Sequence, residues 1–132
     1  MTDKISFDLV SPERLLLSED AEMVTIPGTE GDMGIMLGHM ALISTLRPGV
    51  IAVSGGSEGD QRFYVAGGFA EVTATKLTVL AEESVPMAEL NAAALDQRIK
   101  NAEEDLSLAM SDSERAKVQE SLDYLKGLRA AL

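Results

Sequence analysis

The spacing of apolar residues changes once along this chain, at Pro86, and that change dictates a fold in two parts. Before it, short apolar runs are punctuated by glycine and proline; after it, glycine is absent until Gly127 and apolar residues recur every three or four positions. Ile5, Phe7 and Leu9 alternate with Ser6, Asp8 and Val10. Met23-Val24-Thr25-Ile26 ends at Pro27-Gly28, and Val50-Ile51-Ala52-Val53 follows Pro48-Gly49. The stretch 54–60 reads as an exposed hairpin loop, after which Arg62-Phe63-Tyr64-Val65-Ala66 resumes the sheet. Gly67-Gly68 interrupts as a bulge or tight link, and strands at 69–72 and 77–80 bring the total near eight. Strands this short and this closely spaced predict a β-sandwich or flattened barrel over residues 1–86.

Residues 87–132 read as an antiparallel two-helix hairpin. Leu95, Ile99, Ala102, Leu106 and Met110 share one helical face, and Ser111-Asp112-Ser113-Glu114 supplies a capping box for a second helix. Its stripe is Val118, Leu122, Leu125 and Leu132, with Leu128 beside it. Two narrow stripes of this kind are marginal alone, which predicts a mobile appendage suited to switching.

Charge and composition exclude several functions. The formal net charge of −11 repels phosphate backbones and anionic headgroups, so nucleic acid and direct lipid binding are not expected, and the partner should be protein. Thirteen acids and five bases before residue 87 give −8; nine acids and six bases after it give −3. With no cysteine, the chain has no disulfide, thiolate metal site or cysteine nucleophile. No targeting pattern opens it and no apolar run approaches the roughly 18 residues of a spanning helix, so the sequence reads as soluble and cytoplasmic.

Chemistry, if present, would centre on residues 27–39, which read as one loop holding four glycines, Glu30, Asp32 and the single histidine, His39. One histidine without a second or any cysteine makes no recognisable metal set. No Gly-x-Ser-x-Gly occurs, and Ser44 lies in an apolar run. Gly31-x-x-Gly34 and Gly55-Gly56-Ser57-Glu58-Gly59 lack both phosphate-loop patterns and a following helix. The acidic run 103–105 lacks calcium-loop spacing and reads as a solvated helix face. A structural or interface histidine is therefore expected, and Met33, Met36 and Met40 beside it suit an adaptable protein contact.

Four ordered blocks resemble the epsilon subunit of F-type ATP synthases, whose mitochondrial counterpart is called delta. They are Val10-Ser11-Pro12-Glu13; Ile26-Pro27-Gly28-Thr29-Glu30-Gly31-Asp32-Met33-Gly34-Ile35, followed by His39; residues 42–50; and Gly67-Gly68-Phe69-Ala70-Glu71-Val72. The resemblance implies a non-catalytic rotor subunit without a cofactor, peripheral on the cytoplasmic face of the inner membrane. Its sandwich would bind the gamma subunit, with Phe69 and Glu71 as candidates. It would rest on the c-subunit ring through Glu30, Gly31, Asp32, Met36, His39 and Met40. In the family the hairpin can extend along gamma into the alpha/beta catalytic head and inhibit hydrolysis through basic residues, for which Arg98, Lys100, Arg115, Lys117, Lys126 and Arg129 are the candidates here. Some relatives bind ATP through Ile/Leu-Asp-x-x-Arg-Ala. This chain has Leu95, Asp96 and Arg98, with the arginine one residue early, and a one-residue slip turns a helical side chain by about 100 degrees. No ATP binding at micromolar concentrations is expected, and a hairpin of net −3 makes a weak inhibitor. Leu37 and Ala41 stand where the family often has proline. The rival readings are a small-ligand-binding β-sandwich with a helical lid and, more distantly, a hydrolase using His39.

Overall fold

A computed structural model describes residues 3–132. Met1 and Thr2, which open the stretch read as free of targeting signals, lie outside the described residues. These residues form eight strands and two α-helices: β1 (Ile5–Val10), β2 (Leu15–Ala21), β3 (Met23–Gly28), β4 (Gly31–Ile35), β5 (Leu42–Thr45), β6 (Gly49–Gly56), β7 (Gly59–Val72), β8 (Lys76–Pro86), α1 (Ala92–Leu108) and α2 (Asp112–Ala131). They divide into compact units at Ala88/Glu89, two residues past the expected boundary. A single 3-10 turn, Met87–Glu89, spans the division.

The strands run β2-β1-β8-β7-β6-β3-β4, with β5 also on β7. β7 explains how one sheet makes two layers. Its first half pairs with β6, Gly49 opposite Val65, and its second half with β5, Thr45 opposite Phe69. Both pairings keep one register, so β5 and β6 are successive pieces of one line along β7, broken at residues 46–48. Gly67 and Gly68 lie opposite that break with φ of 77° and 116°. The pair is not the expected bulge: the register with β8 runs unshifted from Phe63/Pro86 to Val72/Leu77. It is the corner at which a continuous strand turns from one layer into the other.

Alternation decides which side chains fill the space between layers. Ile5, Phe7 and Leu9 of β1 are fully buried, as are Leu77, Val79 and Ala81 of β8, where they meet Val24, Ile26, Ile35, Ile51 and Val65. On the opposite face of β1, Asp8 accepts from Ser18 Oγ at 2.7 Å and pairs with Lys76 Nζ at 3.0 Å. The Ser18 hydroxyl first, then Lys76, hold the Asp8 carboxyl below its ordinary 3.8. A depressed folded value means that this stabilisation is full above the unfolded value and disappears as pH falls through the folded one. Asp8→Asn should therefore flatten the acid limb of a thermal-stability profile below about pH 4. Identical acid limbs in both proteins would remove Asp8 from the account.

Two loops are shorter than their glycine content suggests. The segment 54–60 is not a long loop: β6 runs to Gly56, β7 starts at Gly59, and only Ser57-Glu58 turns between them. The glycine-rich stretch after Pro27 is also largely strand. Gly28 pairs with Gly31 around the two-residue turn Thr29-Glu30, and β4 runs from Gly31 to Ile35.

In the second unit, Asn91 caps α1 by accepting from the Ala94 amide at 3.0 Å, and Ser111 caps α2 by accepting from the Glu114 amide at 3.1 Å. The Glu114 carboxylate reaches back to the amide of Met110, one residue before the cap. The helices are antiparallel, since Asp96 near the start of α1 pairs with Arg129 near the end of α2 at 2.8 Å. α1 stops at Leu108, so Met110 leaves the predicted stripe and stands 91% exposed in the turn. On α2 the buried residues are Leu122, Leu125 and Leu128, while Leu132 is exposed: the stripe turns through Leu128.

Candidate functional site

The residues grouped in one loop by sequence separate in space. β4 is an edge strand bonded to β3, and it carries Glu30, Gly31 and Asp32 at one end and the loop 36–41 at the other. Five strand residues span about 13 Å, so Asp32 and His39 are not an acid–histidine pair. His39 Nδ1 instead donates to the Met40 carbonyl at 2.8 Å. No group of three or more His, Cys, Asp or Glu suited to a metal occurs among the described residues.

Around His39 the surface is apolar and adaptable. Met36 and Met40 are exposed, Met40 by 77%, and the Gly38 amide bonds the Ala74 carbonyl at 2.7 Å, tying the loop to the β7–β8 turn. At the other end of β4, the turn 29–32 and β5 flank an open depression of about 450 Å³, lined by Thr29, Glu30, Asp32, Ile43, Ser44 and Thr45 among others. Thr29 and Thr45 join their hydroxyls across it at 3.1 Å. Asp32 pairs with Arg47, a residue with no role in the sequence reading.

Phe69 and Glu71 both point out of β7, and strand register shows what accompanies them. Thr45 lies opposite Phe69, Phe69 opposite Leu80, Leu80 beside Val10, and Val10 opposite Leu15. The result is an apolar row, Phe69-Leu80-Val10-Leu15, on the outer face of four strands. Phe69 and Leu15 are exposed and the two between them half-buried. The next row begins with the exposed Ile43 and is polar beyond it: Glu71, then Thr78, Asp8 and Ser18. Outward alternation would have nominated Val10 and Leu80 from sequence, but their alignment with Phe69 depends on register across non-consecutive strands.

In the hairpin, Leu95 is buried, and Asp96 is occupied by Arg129. Arg98 is exposed. Arg115 bonds Asp112 and the Ala109 carbonyl, whereas Arg98, Lys100, Lys117 and Lys126 are exposed with no ion pair among the described residues. No helix among the described residues is long and apolar enough to cross a membrane.

A sandwich built on this strand order, followed by a helix pair, defines a class. The β-sandwich domain of the ATP synthase delta/epsilon chain matches residues 4–87. An ATP synthase epsilon chain of Parvibaculum lavamentivorans is 56% identical over 129 residues, 98% of each chain. One from Rhodospirillum rubrum is 46% identical over 131 residues, covering 99% of this chain and 98% of its own. A structure of the Euglena gracilis mitochondrial ATP synthase, comprising OSCP, F1 and c-ring, contains a chain that superposes with a TM-score of 0.78 at 25% identity, covering 97% of this chain and 81% of that one. A chain in the central stalk and c-ring structure of the Tetrahymena thermophila mitochondrial ATP synthase shares the fold, with a TM-score of 0.63 at 22% identity over 97% and 98% of the two chains. The chain belongs to the epsilon-chain family of F-type ATP synthases, subunits of the central stalk.

Proposed function

We propose that this chain is a non-catalytic rotor subunit that couples c-ring rotation to ATP synthesis, held peripherally at the cytoplasmic face of the inner membrane. The observation that carries the proposal is the pair of distinct surfaces on one rigid sandwich. The apolar row Phe69-Leu80-Val10-Leu15 suits a permanent contact with gamma, because a stable interface needs an apolar centre with a polar rim. Edge strand β4 and the turns at its ends, bearing Glu30, Gly31, Asp32, Met36, His39 and Met40, suit the polar loops of the ring. A body gripped on two surfaces transmits torque without chemistry of its own. The rival lidded ligand pocket draws no support from the sandwich, whose depressions at Met23/Met36 and at Thr29/Thr45 are open surface features.

The full-length tagged protein, recovered from its own cells at native levels, should bring down gamma and ring subunits. Recovery of neither would end the proposal. The hairpin is a candidate regulator whose free bases, Arg98, Lys100, Lys117 and Lys126, would engage the catalytic head. Because the core of the sandwich draws on residues 5–81 alone, removing residues 89–132 should leave partner recovery unchanged. ATPase activity of the assembled enzyme should then rise by less than about twofold, the effect of losing a few solvent-exposed charge contacts. A tenfold rise would make the hairpin a strong inhibitor.

A further inference from the structure

Arg47 occupies an unusual place, in the break between β5 and β6. Just before it, the Leu46 amide bonds the Gly68 carbonyl at 3.0 Å and Leu46 bridges to Gly28. Just after it, Pro48 has no amide to donate and biases Arg47 to an extended backbone. The Arg47 amide bonds the Pro27 carbonyl at 2.9 Å. Its guanidinium then spreads over the β3–β4 hairpin, one nitrogen donating to the Gly28 carbonyl and the other to Asp32 Oδ1, each at 2.5 Å. A single residue thus holds both legs of the turn Thr29-Glu30. It also neutralises Asp32, whereas Glu30 at the tip is exposed and carries no ion pair among the described residues.

We infer that Arg47 is a positioning residue: it clamps the β3–β4 turn and spends the charge of Asp32 internally, so that Glu30 is the acid presented to a basic side chain of the ring surface. The inference rests on the ring-facing reading of β4 given above, and it divides the labour between two acids that the sequence treats alike. The guanidinium holds two separate nitrogens in a rigid planar fork, one for each leg of the turn, whereas a lysine ammonium is a single compact donor centre, so lysine is a partial substitute. The partner is basic because the sandwich half of the chain, with thirteen acids and five bases, attracts cations at range and Glu30 supplies the local contact.

The test is association of full-length variants with the synthase depleted of this subunit, followed by titration over a range of salt. Glu30→Gln should weaken association about tenfold and flatten its salt dependence, as loss of a directing charge does. Arg47→Gln and Asp32→Asn should each weaken it about fivefold and speed amide exchange at Thr29–Gly31 while core amides keep their protection, with Arg47→Lys intermediate. In a Glu30→Gln background, Arg47→Gln should have almost no further effect, because it acts through Glu30. An undiminished fivefold loss in that background, or full affinity for Arg47→Gln alongside a weakened Glu30→Gln, overturns the positioning role and leaves the ring-facing reading standing. Full affinity for all three single variants removes that reading and the inference with it. Should Arg47→Gln unfold the sandwich, Arg47→Lys decides: full affinity and unchanged exchange at the turn count against the clamp.

Discussion

Gly68→Ala should destabilise the sandwich by roughly 3–5 kcal/mol, a loss at the extreme of single substitutions. Two effects combine at this position. The residue has φ of 116°, where side chains are strained by about 1–3 kcal/mol. A Cβ there would also lie 2.0 Å from the Leu80 carbonyl oxygen and 3.0 Å from Ala81 Cα. Both neighbours are backbone of β8, paired with β7 along its length, so they cannot yield without breaking the ladder that joins the two layers. A domain of this size loses about 4–8 °C of melting temperature per kcal/mol, so a fall of more than about 12 °C is expected. Gly59→Ala is the matched control: its φ is 87° but no atom lies within 4 Å of the added Cβ, leaving only backbone strain of about 1–2 kcal/mol. Equal losses in the two variants, read by thermal and denaturant unfolding, would refute the corner as the reason for the glycine.

Leu80→Asp should leave the fold intact and abolish the contact proposed for gamma. Leu80 sits in the middle of the outer row, flanked by Phe69 and Val10, on the face opposite the buried Val79 and Ala81. An outward carboxylate keeps its hydration in the free subunit but must be stripped and left unpaired when an apolar partner closes over it. Central interface positions of this kind carry about 2–4 kcal/mol, so affinity for isolated gamma should fall roughly 30- to 1,000-fold. Glu71→Gln, at the polar row beside it, should change affinity less than about threefold, since rim charges steer more than they hold. A folded Leu80→Asp protein with full affinity for gamma would move the interface to another face.

The fold class was largely legible because it follows from period. Alternation at Ile5, Phe7 and Leu9 and the helical stripe from Leu95 to Leu106 are local properties, and each element forms as its spacing demands. The misjudged segments share one cause. Glycines at 28, 31 and 34, and at 55, 56 and 59, carry a loop signature, whereas close strand pairing uses several of them inside or at the ends of strands. Gly56 faces Gly59 across a two-residue turn, and a Cβ on Gly34 would press the Met23 sulfur at 3.2 Å. Glycine signals that a side chain has no room or that φ is positive, and both conditions arise in sheets as well as loops. The same loop signature runs across both ends of β4, so Asp32 and His39 are close in sequence while a strand lies between them.

Composition, period and block order were sufficient for the fold class, a β-sandwich followed by a helix pair, and for the family. Each depends on residue type or on near neighbours along the chain. The row Phe69-Leu80-Val10-Leu15, the corner at Gly68 and the Arg47 clamp across Gly28 and Asp32 depend on which strands lie side by side and in what register. A shift of one residue would turn Leu80 inward and carry Arg47 away from the turn, with no change in the alternation that announces the strands. Register is set by the whole packed sandwich, in which β1 pairs with β8 across some seventy residues of chain, and it is there that the interaction surfaces acquire their shape.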